Sequence, residues 1–176
     1  MNISRKLVFF VILMLAAALT VIIIAVSGSD GSFDLRNGEY KWELDYFGAE
    51  KYSELHQEIS DADRAELMPL YQKIDKTFSL MFVSDEAAKA ECGNILYLYS
   101  VHDTPGADHE THILKLLTGK VSGDDAVLWI SYIRRIYASD GELLAGSGSE
   151  DAPCKVRLEA KKQDGSWIVT NRMEHP

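Results

Sequence analysis

"AVLWISYIRRIYA", residues 126–138, decides how the rest of the chain is read. Its residues are mostly β-branched or aromatic, and apolar side chains occupy both odd and even positions. A strand with one wet face alternates apolar with polar, so a strand apolar on both faces belongs at the centre of a sheet that is covered on both sides. Arg134 and Arg135 interrupt the pattern. One is expected to face solvent while the other makes an ion pair where the strand bends or bulges; the functional alternative is a clamp on an anionic ligand or on acidic helices.

Downstream, "CKVRLEAKK" alternates, with Cys154, Val156, Leu158 and Ala160 inward and Lys155, Arg157, Glu159 and Lys161 outward. Asp164-Gly165 then suits the positive φ angles of a tight hairpin into "SWIVTNRM", and Asp140-Gly141 is a second turn signal. "GSGSEDAP", residues 146–153, has glycines but no phosphate-loop lysine and no following helix, so it reads as a loop. Upstream, "THILKLLTGKVSG" fits a helix capped by Asp108 and stopped by Gly119, or a strand of roughly 111–121 leading through "SGDD" into residue 126. The strand is preferred. "NILYLYSV", residues 94–101, also reads as a strand.

Between Ala49 and Cys92 the period is helical. "AEKYSELHQEI" is a short helix. After Ser60 and Asp61 as caps, Leu67, Leu70, Tyr71, Ile74, Phe78, Met81 and Phe82 recur at three- and four-residue steps and form one apolar stripe. Pro69 either lies in the first turn of this helix or kinks it. Ser84 caps a further helix, "DEAAKAEC", closed by Gly93.

The N-terminal segment is of another kind. "LVFFVILMLAAALTVIIIAV", residues 7–26, carries no charge, and twenty residues at 1.5 Å each match a hydrocarbon core about 30 Å thick. A cleavable export signal usually has an apolar region of about 7 to 15 residues, so a retained anchor is the better reading. Arg5 and Lys6 precede it and acid outweighs base after it, which leaves residues 1–6 in the cytoplasm and the remainder outside. "SGSDGSFDLRNGEY", residues 27–40, reads as a spacer, and 41–176 as one extracytoplasmic domain.

All 27 acidic residues follow the anchor, together with all the basic ones except Arg5 and Lys6. An acidic surface argues against nucleic acid and against docking on anionic lipid, both of which reward a basic face. The two cysteines, Cys92 and Cys154, lie in neither a redox nor a zinc spacing. In an exported domain they either form one disulfide, worth about 4 kcal/mol by loop closure, or remain two buried thiols.

The order that results is helices first, then a meander of four or five antiparallel strands. "GKVSGDDAVLWISYIRRIYASDGELL" followed by "CKVRLEAKKQDGSWIVTNRMEHP" resembles the nuclear-transport-factor-like (cystatin-like) superfamily, particularly small exported bacterial members. The features that carry the resemblance are a Gly-Asp turn before an "AV" strand, a long aromatic strand ending in Asp-Gly, and a last hairpin reading Asp-Gly-x-Trp-x-Val before a closing Pro. They cover about residues 110–176. The resemblance implies an α+β fold in which a strongly curved sheet wraps a long helix as a cone, often with a pocket at its open end and often dimeric through the open sheet face. Its members include isomerases and dehydratases, ligand-binding modules and membrane-anchored assembly factors. Fold alone does not choose among these.

In such a pocket Tyr97, Tyr99, Trp129, Tyr132 and Tyr137 are the expected walls. Catalysis would further need a titratable group with a displaced pKa among them, and no catalytic residue is assigned. "HDTPGADHETH", residues 102–112, raises a metal site on His102, His109 and His112. The zinc-protease spacing fails because His109 and His112 are three apart rather than four. On a strand Glu110 and His112 share a face; on a helix His109 and His112 do; a flexible loop would let His102, Asp103 and His112 converge. The plainer expectation is a polar hairpin loop turning at Pro105-Gly106.

These readings converge on a non-enzymatic, single-pass membrane protein without a cofactor. Its bilayer contact is residues 7–26, and its outer domain binds an envelope protein or a small apolar ligand. The alternatives are a pocket enzyme of isomerase or hydratase type and a metal-binding module built on the 102–112 loop.

Overall fold

The computed structural model describes residues 41–174, so the anchor, the spacer and the cytoplasmic tail expected from the sequence lie outside the described residues. Among the described residues no helix is long and apolar enough to cross a membrane. The chain divides into two compact units, residues 1–45 and 46–176.

The class is α+β. Helices α1 (Lys41–Phe47), α2 (Ala49–Leu55), α3 (Asp61–Phe78) and α4 (Asp85–Cys92) precede strands β1 (Ala107–Ser122), β2 (Asp125–Ala138), β3 (Leu143–Ser147), β4 (Cys154–Gln163) and β5 (Ser166–Glu174). All strand pairs are antiparallel, in the order β1-β2-β4-β5. Strands β3 and β4 divide one edge of β2 between them, β4 pairing with residues 125–132 and β3 with 134–137. The central position expected for "AVLWISYIRRIYA" is therefore the observed one. Part of "GSGSEDAP" departs from its loop reading, because Gly146 and Ser147 end β3 and pair with Arg135 and Arg134.

The caps follow their chemistry. Ser60 Oγ accepts the Asp63 amide and donates to the Asp63 carboxylate, which reciprocally closes the first turn of α3. Ser84 caps α4, and Gly93 at φ 86° ends it. Asp164 and Gly165 both take positive φ in the β4–β5 turn, as a two-residue hairpin requires. Pro69 sits in the interior of α3 rather than in its first turn. Its missing amide leaves the helix one bond short there, and next to the gap the Trp167 indole donates to the Glu66 carbonyl.

"NILYLYSV" is not a strand. Residues Leu96–Tyr99 form one 3₁₀ turn that buries Leu96 and Tyr99, three residues apart and so on the same side. Four apolar residues carry too little periodic signal to separate this from β structure. The ambiguous "THILKLLTGKVSG" is a strand, and it starts earlier than expected, directly after Gly106 (φ 82°).

One face of the sheet holds the main core: Leu67, Leu70, Ile74 and Phe78 of α3 meet Ala126, Leu128, Ile130 and Tyr132 of β2 and Val156, Leu158 and Ala160 of β4. At Gly119 the helix approaches so closely that a Cβ there would lie 2.5 Å from Leu67 Cδ1. On the opposite face Phe47 and Leu55 cover Trp129, with the Phe47 and Trp129 rings edge to face at 4.9 Å. Helix α2 is fastened there by Glu54, whose Oε2 accepts from Trp129 Nε1 (3.1 Å) and from Arg157 Nε (2.7 Å). Burial on both faces explains why the central strand carries no polar alternation.

Candidate functional site

The five expected pocket walls do not share one pocket. Tyr99 and Tyr132 point into the main core, where both hydroxyls donate to the Glu174 carboxylate. Burial pushes both phenols far above their usual range, and Glu174 adds to the effect. Tyr97 lies half-buried near His102, with Lys89 over its ring. Trp129 is on the opposite face of the sheet, under α2. Tyr137 stacks on His109 at 5.1 Å near the end of the β1–β2 ladder. Alternation along β2 separates these side chains: residues 129 and 137 face one way and residue 132 the other.

The three histidines are likewise distributed. His102 Nδ1 lies 2.5 Å from Asp85 Oδ1. His109 is exposed beside Asp108. His112 projects from the inner face of β1, where Nδ1 meets Glu110 Oε2 at 3.1 Å and Nε2 meets Asp75 Oδ1 of α3 at 3.0 Å. Among the described residues no group of three or more His, Cys, Asp or Glu side chains is arranged to hold a metal ion. Cys92 and Cys154 are both free thiols. Cys92 faces Thr77 and Cys154 faces Tyr132, and burial raises both thiols above their usual range.

The arginines separate as neighbours on a strand must. Arg135 donates to the carbonyls of Ser147 and Gly148 and so fastens the end of β3. Arg134 turns inward, its Nε 3.7 Å from Glu110 Oε1, so its partner is on β1 and not on an acidic helix. Burial pulls this guanidinium below its ordinary value while Glu110 acts in the opposite sense. Phe78, the last residue of α3, sits at the centre: it stacks on Tyr99 (5.2 Å) and on His112 (4.9 Å), and the Arg134 guanidinium lies 5.5 Å from its ring.

The polar grouping of the inner face is thus Asp75, His112, Glu110 and Arg134 around Phe78. The sequence carried half of it, since Glu110 and His112 stand two apart on a strand. Asp75 is 37 residues from His112, and nothing local announces it. Chemically the group is committed to itself. Both ring nitrogens of His112 face carboxylates, Nδ1 that of Glu110 and Nε2 that of Asp75.

A different kind of surface lies on the outer face, where α2 stops short. Ile113 and Ile133 form a cross-strand pair there, and beside them a cavity of about 290 Å³ is lined by Ile113, Lys115, Ser131, Ile133, Glu150 and Pro153. Compared with protein-family models, curated proteins and solved structures, the chain matches none of them.

Proposed function

We propose that this chain is a membrane-anchored binding domain: a single span at residues 7–26 holds an extracytoplasmic α+β domain that docks an envelope protein and performs no chemistry. The observation that carries the reading is the division of labour between the two sheet faces. Inner-face groups with chemical potential are engaged with one another, whereas the outer face leaves Ile113 at 51% exposure beside Ile133 and a cavity. A half-exposed Ile113 next to a partly buried Ile133 and a cavity gives a docking partner an apolar foothold. The order of helices before an antiparallel sheet, with α3 laid against the sheet, supports the likeness to nuclear-transport-factor-like domains and a curved, cone-like sheet.

Two measurements on the full-length chain test this. Alkaline extraction and protease accessibility in intact cells should leave the chain in the membrane with residues 41–176 digestible only from outside. A photoreactive residue placed at Ile113 should give one discrete adduct, and one placed at Asp164, in the β4–β5 turn, should give none. Release of the chain by alkali, or identical labelling from both positions, would remove the basis for the reading.

A further inference from the structure

The contacts of His112 contain a proton count. Each of its ring nitrogens meets a carboxylate oxygen, Nε2 to Asp75 and Nδ1 to Glu110. Two hydrogen bonds need two protons, and a neutral imidazole supplies one. The second nitrogen of a neutral ring would present its lone pair to a carboxylate lone pair. Both bonds form together only when the trio carries one proton more than a neutral imidazole and two carboxylates do.

We infer that Asp75, His112 and Glu110 form a proton-operated latch that fastens the C-terminal turn of α3 to the inner face of β1. The charged and titratable groups around it are Asp75 from α3, with Tyr71 one turn earlier hydrogen-bonded to the Leu114 carbonyl; Glu110 from β1; and Arg134 and Tyr132 from β2. With the extra proton in place the row reads negative, positive, negative, positive from solvent to core. Without it, a buried carboxylate and an exposed one compete for a single N–H.

Geometry decides which bond is released. The Glu110 side chain is 2% exposed and has no water to replace His112, whereas the Asp75 side chain is 54% exposed and is readily solvated. Deprotonation therefore keeps the bond to Glu110 and frees Asp75. Phe78 is three residues beyond Asp75 and stacks on the same imidazole, so the released turn also loosens the contacts of Phe78 with Tyr99 and Arg134. Glu110 Oε1 and Arg134 Nε, both buried and without hydrogen-bond partners, already form an ion pair at 3.7 Å, where a small shift would add a hydrogen bond. The latch thus has a second arrangement available to it.

The test uses the full chain in detergent and reads two signals between about pH 5 and about pH 9, the range over which imidazoles change charge. Nitrogen NMR of the His112 ring should show both nitrogens protonated at the acidic end and one at the alkaline end. Across the same transition, hydrogen exchange at the Phe78, Ser79 and Leu80 amides, taken relative to the intrinsic rate at each pH, should accelerate by about fivefold, as expected for loss of one partly exposed charge-assisted bond. Asp75→Asn pairs with a neutral ring without an extra proton, so its exchange rates in this turn should not depend on ring charge. A wild-type ring that stays singly protonated throughout, or wild-type exchange at these amides that follows intrinsic chemistry alone, overturns the inference. The ring signal requires no substitution, so the test stands even if the variant does not fold.

Discussion

At the scale of the residue, Glu54 shows how one carboxylate can hold an element in place. It accepts from the Trp129 indole and the Arg157 guanidinium across more than seventy residues of chain. Glu54→Ala strands a buried indole N–H and one side of a partly buried cation, and should lower unfolding free energy by about 1–3 kcal/mol in denaturant titrations. Glu54→Gln keeps an acceptor and should recover part of that loss. The cysteines give a second residue-level expectation. Cys92 and Cys154 are free, so alkylation under denaturing conditions without reductant should add two labels per chain, and labelling of the folded chain should be slow because burial raises both thiols. A chain that accepts no label until it is reduced would instead carry the disulfide.

At the scale of the element, the contact between α3 and β1 is close and specific. Tyr71 donates to the Leu114 carbonyl, and Asp63 accepts the Val121 amide, so helix side chains satisfy backbone groups on the outer edge of a sixteen-residue strand. Exposed edges invite pairing with other chains, and this one is partly occupied by its own helix. Gly119 permits the approach. Gly119→Ala places a methyl group 2.5 Å from Leu67 Cδ1 and 3.0 Å from the Val127 carbonyl oxygen. A thermal or denaturant melt should register a cost of about 1–3 kcal/mol, the usual penalty for overpacking a closed contact. Boundaries at this scale were largely readable: Ser60, Ser84, Gly93 and Asp164-Gly165 act through their own backbone neighbours, so their effect is local and visible in the sequence. The 3₁₀ turn at Leu96–Tyr99 was not, because its shape comes from burying Leu96 and Tyr99 in the core and not from any local preference for that geometry.

At the scale of the whole molecule, an acidic chain of net charge −9 depends on carboxylates whose ionised forms are held in place. Hydrogen bonds from Ser60 and the Val121 amide lower Asp63, a bond from Lys89 lowers Asp85, and bonds from Arg157 and Asn171 lower Glu159. Folded-state values below the unfolded ones contribute stability that is complete above about pH 4 and is lost as pH falls through the folded values. The melting temperature should therefore drop as pH falls below about pH 4, and a midpoint that rises on acidification through that carboxylate range would contradict this assignment.

The sequence by itself determined that β2 is central, that helices precede the sheet, and where the tight turns fall, because apolar periodicity and turn chemistry act over a few residues and leave their record there. It also placed Glu110 and His112 on one face once residues 107–122 were taken as a strand. Only the tertiary structure decided that Asp75 completes the latch, that Arg134 answers Glu110, and that Tyr99 and Tyr132 share the main core while Tyr97, Trp129 and Tyr137 lie elsewhere. Those outcomes depend on which face of β2 meets α3 and how the helix is registered along β1. That registration is set by the packing of Leu67, Leu70, Ile74 and Phe78 against residues far away in the chain.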